Sequence, residues 1–142
     1  TATLVVDRPV AEAFPFFTPE GERAWAGKWD PVYHHPADGT MQAGLVFTTG
    51  EGEEHTIWTV LRHEPEYGLV EYMRTTPGSR TGTVLVQCSP LGDSRTRVMV
   101  SYSLTALSES GNLKLQELTD AAFLAYIESW EASIAEVLAP RT

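Results

Sequence analysis

Residues 113–138 read LKLQELTDAAFLAYIESWEASIAEVL, and this stretch decides the fold. Leu115, Leu118, Ala122, Phe123, Tyr126, Trp130, Ile134 and Val137 keep a spacing of three or four over about seven turns, while Glu117, Asp120, Glu128, Glu131 and Glu136 lie mostly off that stripe. The pattern predicts one long amphipathic helix, capped by Asn112 after Gly111 and stopped by Pro140. Such a helix needs a surface to bury its apolar face against.

The rest of the chain supplies that surface as strands. Thr3–Val6 is a short β-prone run. Leu45–Thr49, His55–Arg62, Leu69–Thr75, Thr81–Ser89 and Arg97–Leu107 follow, separated by Gly50-Glu51-Gly52, Pro65-Glu66-Tyr67-Gly68, Pro77-Gly78 and Pro90-Leu91-Gly92-Asp93. Connections this short join neighbours into an antiparallel meander. Two short helices are expected after the first strand. Asp7 and Pro9 open one that buries Val10, Phe14 and Phe17; Thr18-Pro19-Glu20 opens another that carries Trp25 and ends near Gly27. Residues 28–43 read as a loop, because Asp30-Pro31, His35-Pro36 and Asp38-Gly39 are turn signals. The expected fold is α+β over one domain, residues 1–142, with an antiparallel sheet of about six to seven strands under one long C-terminal helix.

Alternation assigns side chains to the two faces of the sheet. Val98, Val100, Tyr102 and Leu104 form the helix-facing set of the last strand, and Val84, Val86 and Cys88 that of the strand before it. Val70, Tyr72 and Arg74 share the corresponding face of residues 69–75. In His55–Arg62 both faces are apolar, Ile57 and Leu61 against Trp58 and Val60, and pattern alone does not choose between them. The interior layer thus holds Tyr72, Tyr102, Phe123, Tyr126 and Trp130, and Trp58 and Phe47 join it only if their strands turn those faces inward. A twisted sheet and a straight helix do not touch everywhere. The gap is either packed with large rings or left as a cavity, and buried phenols favour a cavity because each O–H needs a partner.

This architecture resembles the helix-grip domains of the START/SRPBCC superfamily, in particular its polyketide cyclase and heat-shock ATPase activator-like branch. The matching stretches are Asp7-Arg8-Pro9 to Phe14, Thr18-Pro19-Glu20 with Trp25, Gly44-Leu45-Val46-Phe47, Thr56-Ile57-Trp58 and Thr105-Ala106-Leu107. The resemblance implies a curved sheet gripping the C-terminal helix, with a hydrophobic ligand (lipid-like, polyketide-like or aromatic) between them. It carries over no catalytic residue. A cyclase or aromatase acting in the same cavity and a protein-interaction domain are the alternatives it allows.

Composition bounds these readings. The chain has 142 residues, 42% of them hydrophobic, and nineteen acids against ten bases give a formal net charge of −9. That balance disfavours nucleic acid and anionic membranes as partners. There is no apolar run of ~18 residues and no leader-like start, and the single cysteine, Cys88, fits a reducing, cytoplasmic setting. No metal or other cofactor is expected. His55 and His63 stand roughly 26 Å apart on a straight strand, and His34 and His35 are adjacent in a loop. The Gly50–Glu54 run lacks the third glycine of a dinucleotide loop and carries three acids. Candidate ligand contacts are Trp25, Trp29, Phe47, His55, Trp58, Tyr72, Arg74, Tyr102, Phe123, Tyr126 and Trp130. Arg74 is the polar group among them best suited to a carboxylate or enolate oxygen. Leu85, Met73 and Met99 on the outer face leave a homodimer contact open.

Overall fold

The computed structural model describes residues 1–140; Arg141 and Thr142, the end of the expected domain, lie outside the described residues. Seven antiparallel strands form one sheet in the order β1-β7-β6-β5-β4-β3-β2. They are β1 (Ala2–Val6), β2 (Val32–His35), β3 (Val46–Thr49), β4 (Thr56–Glu64), β5 (Leu69–Thr76), β6 (Arg80–Leu91) and β7 (Arg95–Ala106). Two short helices, α1 (Val10–Ala13) and α2 (Pro19–Glu22), follow β1, with a 3-10 turn at Phe14–Phe17 between them. The C-terminal part is α3 (Glu109–Glu117) and α4 (Asp120–Leu138). Among the described residues no helix is long and apolar enough to cross a membrane.

Three local expectations are corrected. The long helix is two helices. Ser108, not Asn112, caps the first, accepting from the Gly111 N–H, and Thr119 caps the second, accepting from Ala122. Leu118 leaves helical geometry between them, because Thr119 followed by Asp120 is itself a start signal. The loop at 28–43 contains β2, an edge strand of four residues paired with β3 in irregular register, and the prolines on either side suit an edge. The helix opened by Thr18 ends at Glu22, so Trp25 sits in the turns after it.

The inner face is set by register. Successive cross-strand rows run Leu4–Val98–Cys88, then Ala2–Val100–Val86–Val70, then Tyr102–Val84–Tyr72–Val60, then Leu104–Gly82–Arg74–Trp58–Phe47–Tyr33. Along the strands the surface thus passes from aliphatic to phenolic to charged. The open question in β4 is answered: Thr56, Trp58 and Val60 point inward, whereas Ile57 and Leu61 are 39% and 40% exposed. The apolar stripe of α4 is Phe123, Ile127, Trp130 and Ile134. Tyr126 and Val137, expected on that stripe, stand at its margin, 46% and 44% exposed.

Helix α4 packs on β1, where Glu131 Oε2 accepts the Val5 N–H at 2.7 Å. Ile127 and Ile134 are buried in the same core as Leu4, Val6, Val98 and Val100. Cys88 is buried there too, and its thiol is pushed up to about 12 by burial, which leaves it a small apolar side chain.

Candidate functional site

The aromatic end of the interior does not close. A cavity of about 270 Å³ lies between sheet and α4, lined by Glu22, Trp25, Ala26, Trp29, Trp58, Arg74, Tyr102, Tyr126, Ser129 and Trp130. All four tryptophans of the chain border it. A second space of about 300 Å³ adjoins it, sharing Arg74, Tyr102 and Tyr126, and opens beneath α3 between Arg80, Leu104, Lys114, Leu115, Glu117 and Leu118. The break between α3 and α4 makes this outer space, since it lets α3 turn away over the β6–β7 end of the sheet.

The walls are rigid because their polar ends are tied down. Trp25 Nε1 donates to the Phe16 carbonyl, Trp29 Nε1 to the Pro19 carbonyl and Trp58 Nε1 to Thr49 Oγ1, at 2.8, 2.8 and 2.9 Å. Trp25 packs on Trp130 with ring centroids 5.3 Å apart, and Trp29 packs edge-on against Trp58 at 5.6 Å. Rings held at such angles leave gaps that flexible aliphatic chains would fill.

Two polar groups face the cavity with capacity to spare. Arg74 is the first. Its guanidinium carbon stands 5.3 Å from the centre of the Trp58 ring, and Nη2 donates to Thr76 Oγ1 at 3.0 Å. Thr76 in turn donates to Thr56 Oγ1, whose own proton goes to the Glu54 carbonyl, so a buried relay fixes the group. Arg74 Nε is enclosed and has no hydrogen-bond partner, and among the described residues no carboxylate lies in ion-pair range of Arg74. Burial holds its pKa below the ordinary arginine range. Opposite it in the register is Gly82, where a Cβ would fall 1.9 Å from the Ser103 carbonyl oxygen. Only glycine fits there, and the wall beside Arg74 stays low.

Glu22 is the second. It ends α2, with its N–H held by the Thr18 carbonyl, and its side chain faces the cavity. Burial pushes its carboxyl up to about 8, and among the described residues no hydrogen bond or neighbouring cation offsets that effect. Its chain neighbour Arg23 points outward and is engaged by Glu20 and Asp30 at 2.9 and 2.8 Å. Glu22, Trp25, Ala26 and Trp29 stand at i, i+3, i+4 and i+7, a spacing visible in the sequence, and Glu22 is absent from the candidates because acids in a first turn pass for partners of the helix dipole.

Of the expected contacts, Trp25, Trp29, Trp58, Arg74, Tyr102, Tyr126 and Trp130 are brought together around the 270 Å³ cavity. Tyr72 reaches only a narrow space of about 20 Å³ beneath it, and its hydroxyl is committed to the Phe17 carbonyl at 2.6 Å. Phe47 is fully buried behind the wall, stacked on Trp58, and Phe123 packs against Tyr102. His55 is exposed at the start of β4 and lines none of these spaces. Burial raises the phenols of Tyr72 and Tyr102 well above the ordinary range, so both stay neutral. Among the described residues no three His, Cys, Asp or Glu side chains converge to hold a metal ion. On the outer face Met73 is exposed, with Leu85 and Met99 half-buried, and Thr83, Ser101 and Gln87 stand across the strands from them.

No protein-family model and no curated protein matches the sequence. Solved structures do share its architecture. A Thermobifida fusca protein superposes with a TM-score of 0.67 at 13% identity, over 99% of this chain and 95% of that one. The Zhui aromatase/cyclase of a Streptomyces species gives 0.66 at 11% identity, over 96% and 93%. Norcoclaurine synthase from Thalictrum flavum, solved with dopamine and hydroxybenzaldehyde, gives 0.62 at 12% identity, over 94% and 84%. The chain has the helix-grip fold, a curved antiparallel sheet around a long C-terminal helix, and at these identities the fold is what is shared.

Proposed function

We propose that the chain acts as one domain that binds a small, hydrophobic, largely aromatic molecule between the sheet and α4. The observation that carries this reading is Arg74, a half-buried arginine whose enclosed Nε–H has no partner, in a cavity walled by tryptophan. A buried donor without a partner costs about 1–3 kcal/mol, more when charged, and a ligand oxygen would remove that cost. The rings supply apolar area and flat faces for an aromatic body. A cytoplasmic setting fits the buried thiol of Cys88.

Intrinsic tryptophan fluorescence tests the reading, since every tryptophan borders the cavity. Titration with 2-naphthoate is expected to quench it saturably, and the methyl ester to bind at least about tenfold more weakly. Arg74→Met should lose that preference. Absence of saturable quenching by any aryl carboxylate would count against the proposal.

A second reading, enzymatic enolisation of the cyclase kind, is favoured by Glu22. A carboxyl whose pKa burial raises to about 8 is suited to moving a proton in this cavity, and Arg74 to holding an enolate oxygen. The test is solvent deuterium exchange at the central carbon of benzoylacetone, followed by NMR. Exchange faster than buffer and lost in Glu22→Gln supports turnover; a rate equal to buffer removes it.

A further inference from the structure

Glu22 and Arg74, the carboxyl and the guanidinium that line the cavity, belong to different elements and do not pair. Glu22 comes from α2 and Arg74 from β5, and no ion pair joins them. Both line the same 270 Å³ space, with Trp29, Trp58 and Trp130 also on its walls. A hydrocarbon filling that space would leave Arg74 Nε and the Glu22 carboxyl unsatisfied, at a cost that grows as water is expelled. A ligand with one acidic group would satisfy Arg74 and strand Glu22. Arg80 and Lys114 line the outer space on the Arg74 side, where Glu54 engages both at 3.3 and 3.1 Å. Arg80 and Lys114 are thus offset by Glu54, and Glu117 lines the same space, whereas Arg74 has no acid in ion-pair range among the described residues.

We infer that the ligand is two-ended: an aryl body carrying an anionic oxygen group that meets Arg74 and, at its other end, a carbonyl or phenol oxygen that accepts a hydrogen bond from the Glu22 carboxyl. The inference rests on the binding role proposed above and adds the chemistry of the ligand's second end. The titratable and charged groups around Glu22 support it. Tyr72 of β5 and Tyr102 of β7 share the cavity floor with it and stay neutral, Arg23 is turned outward, and Arg74 stands on the wall of β5. Tyr126 of α4 lines the same space, and among the described residues no histidine does. Glu22 is the carboxyl of this lining, raised to about 8 by burial, and its protonated form is the donor.

Calorimetric titration with isosteric acids tests this. The probes are 4-acetylbenzoate against 4-isopropylbenzoate, and 6-acetyl-2-naphthoate against 6-isopropyl-2-naphthoate, so that two lengths are covered. On at least one scaffold the acetyl acid should bind the wild-type protein about tenfold more tightly at pH 6.5. That preference should vanish as pH rises to about 9.5, with the acetyl acid losing more affinity than the isopropyl acid. Glu22→Gln, which keeps an N–H donor, should retain the preference and lose its pH dependence; Glu22→Met should lose the preference. Equal binding of acetyl and isopropyl acids on both scaffolds, or a pH-dependent preference that persists in Glu22→Gln, overturns the inference and leaves the binding role standing. Failure of all four acids to bind overturns both.

Discussion

The two ends of the inner sheet face meet the same helix and behave differently. At one end Leu4, Val98 and Val100 share a closed core with Ile127 and Ile134 of α4. At the other end Trp58, Arg74 and Tyr102 lie under Tyr126 and Trp130 around open space. Branched aliphatic chains interdigitate to interior density, whereas indoles tied at their nitrogens do not collapse into the remaining gap. The closed end stabilises the fold, and the open end holds groups that cost stability. On the proposed reading, a ligand would supply the partners that Arg74 Nε and the Glu22 carboxyl lack among the described residues.

The largest effect that separates the two ends is expected from truncation. Ile127→Ala removes a fully buried side chain at the closed end and should cost about 2–5 kcal/mol in urea denaturation. Tyr126→Ala, at the cavity margin, should cost about 1 kcal/mol or less. Equal costs would break the comparison.

Next is the pH dependence of stability. The folded-state pKa of Glu22, about 8, lies above its ordinary value of 4.5. Below that ordinary value both folded and unfolded chains hold the proton. Between the two values only the unfolded chain releases it, so stability falls as pH rises, and above about 8 the loss is complete. Glu22→Gln should therefore be more stable than wild type by roughly 2–4 kcal/mol at pH 9 and indistinguishable at pH 4. Parallel stability curves for the two proteins would show that the carboxyl is solvated.

Arg74→Met should follow, with a gain of up to about 1 kcal/mol, because it replaces a half-buried cation that has no acidic partner by an apolar side chain of similar reach. A loss of that size in thermal or urea unfolding would mean that the Thr76–Thr56 relay already compensates the charge. An effect of similar size belongs to the hinge between α3 and α4. Thr119→Ala removes the side chain that accepts from Ala122 and should cost about 1 kcal/mol. It should also loosen the outer space, read as faster amide exchange across residues 117–123.

Much of this arrangement is legible in the sequence. Periodicity placed Tyr72, Arg74, Tyr102 and Trp130 on the interior, and the structure puts them there. Trp58 was ambiguous because alternation defines two faces without saying which is inside when Ile57 and Leu61 oppose it; its cross-strand partners Phe47 and Arg74 decide. The helix break escaped because a spacing of three to four residues continues across Leu118 and Thr119, and a cap is a weaker signal than a stripe. Glu22 escaped for a different reason. An acid beside two tryptophans on one helical face looks like a solvated side chain until the sheet that covers it is known. His55 was drawn in by its residue type, but its place at the exposed start of β4 takes it away from the cavity.

The most direct test of the central claim is an isotope-filtered NOE experiment on the labelled protein with bound 2-naphthoate. The account predicts contacts from the naphthyl protons to the indole protons of Trp25, Trp29, Trp58 and Trp130, with the largest amide shifts at Arg74 and Glu22. Contacts confined to the outer sheet face around Met73 and Met99, with the four indoles unperturbed, would contradict it.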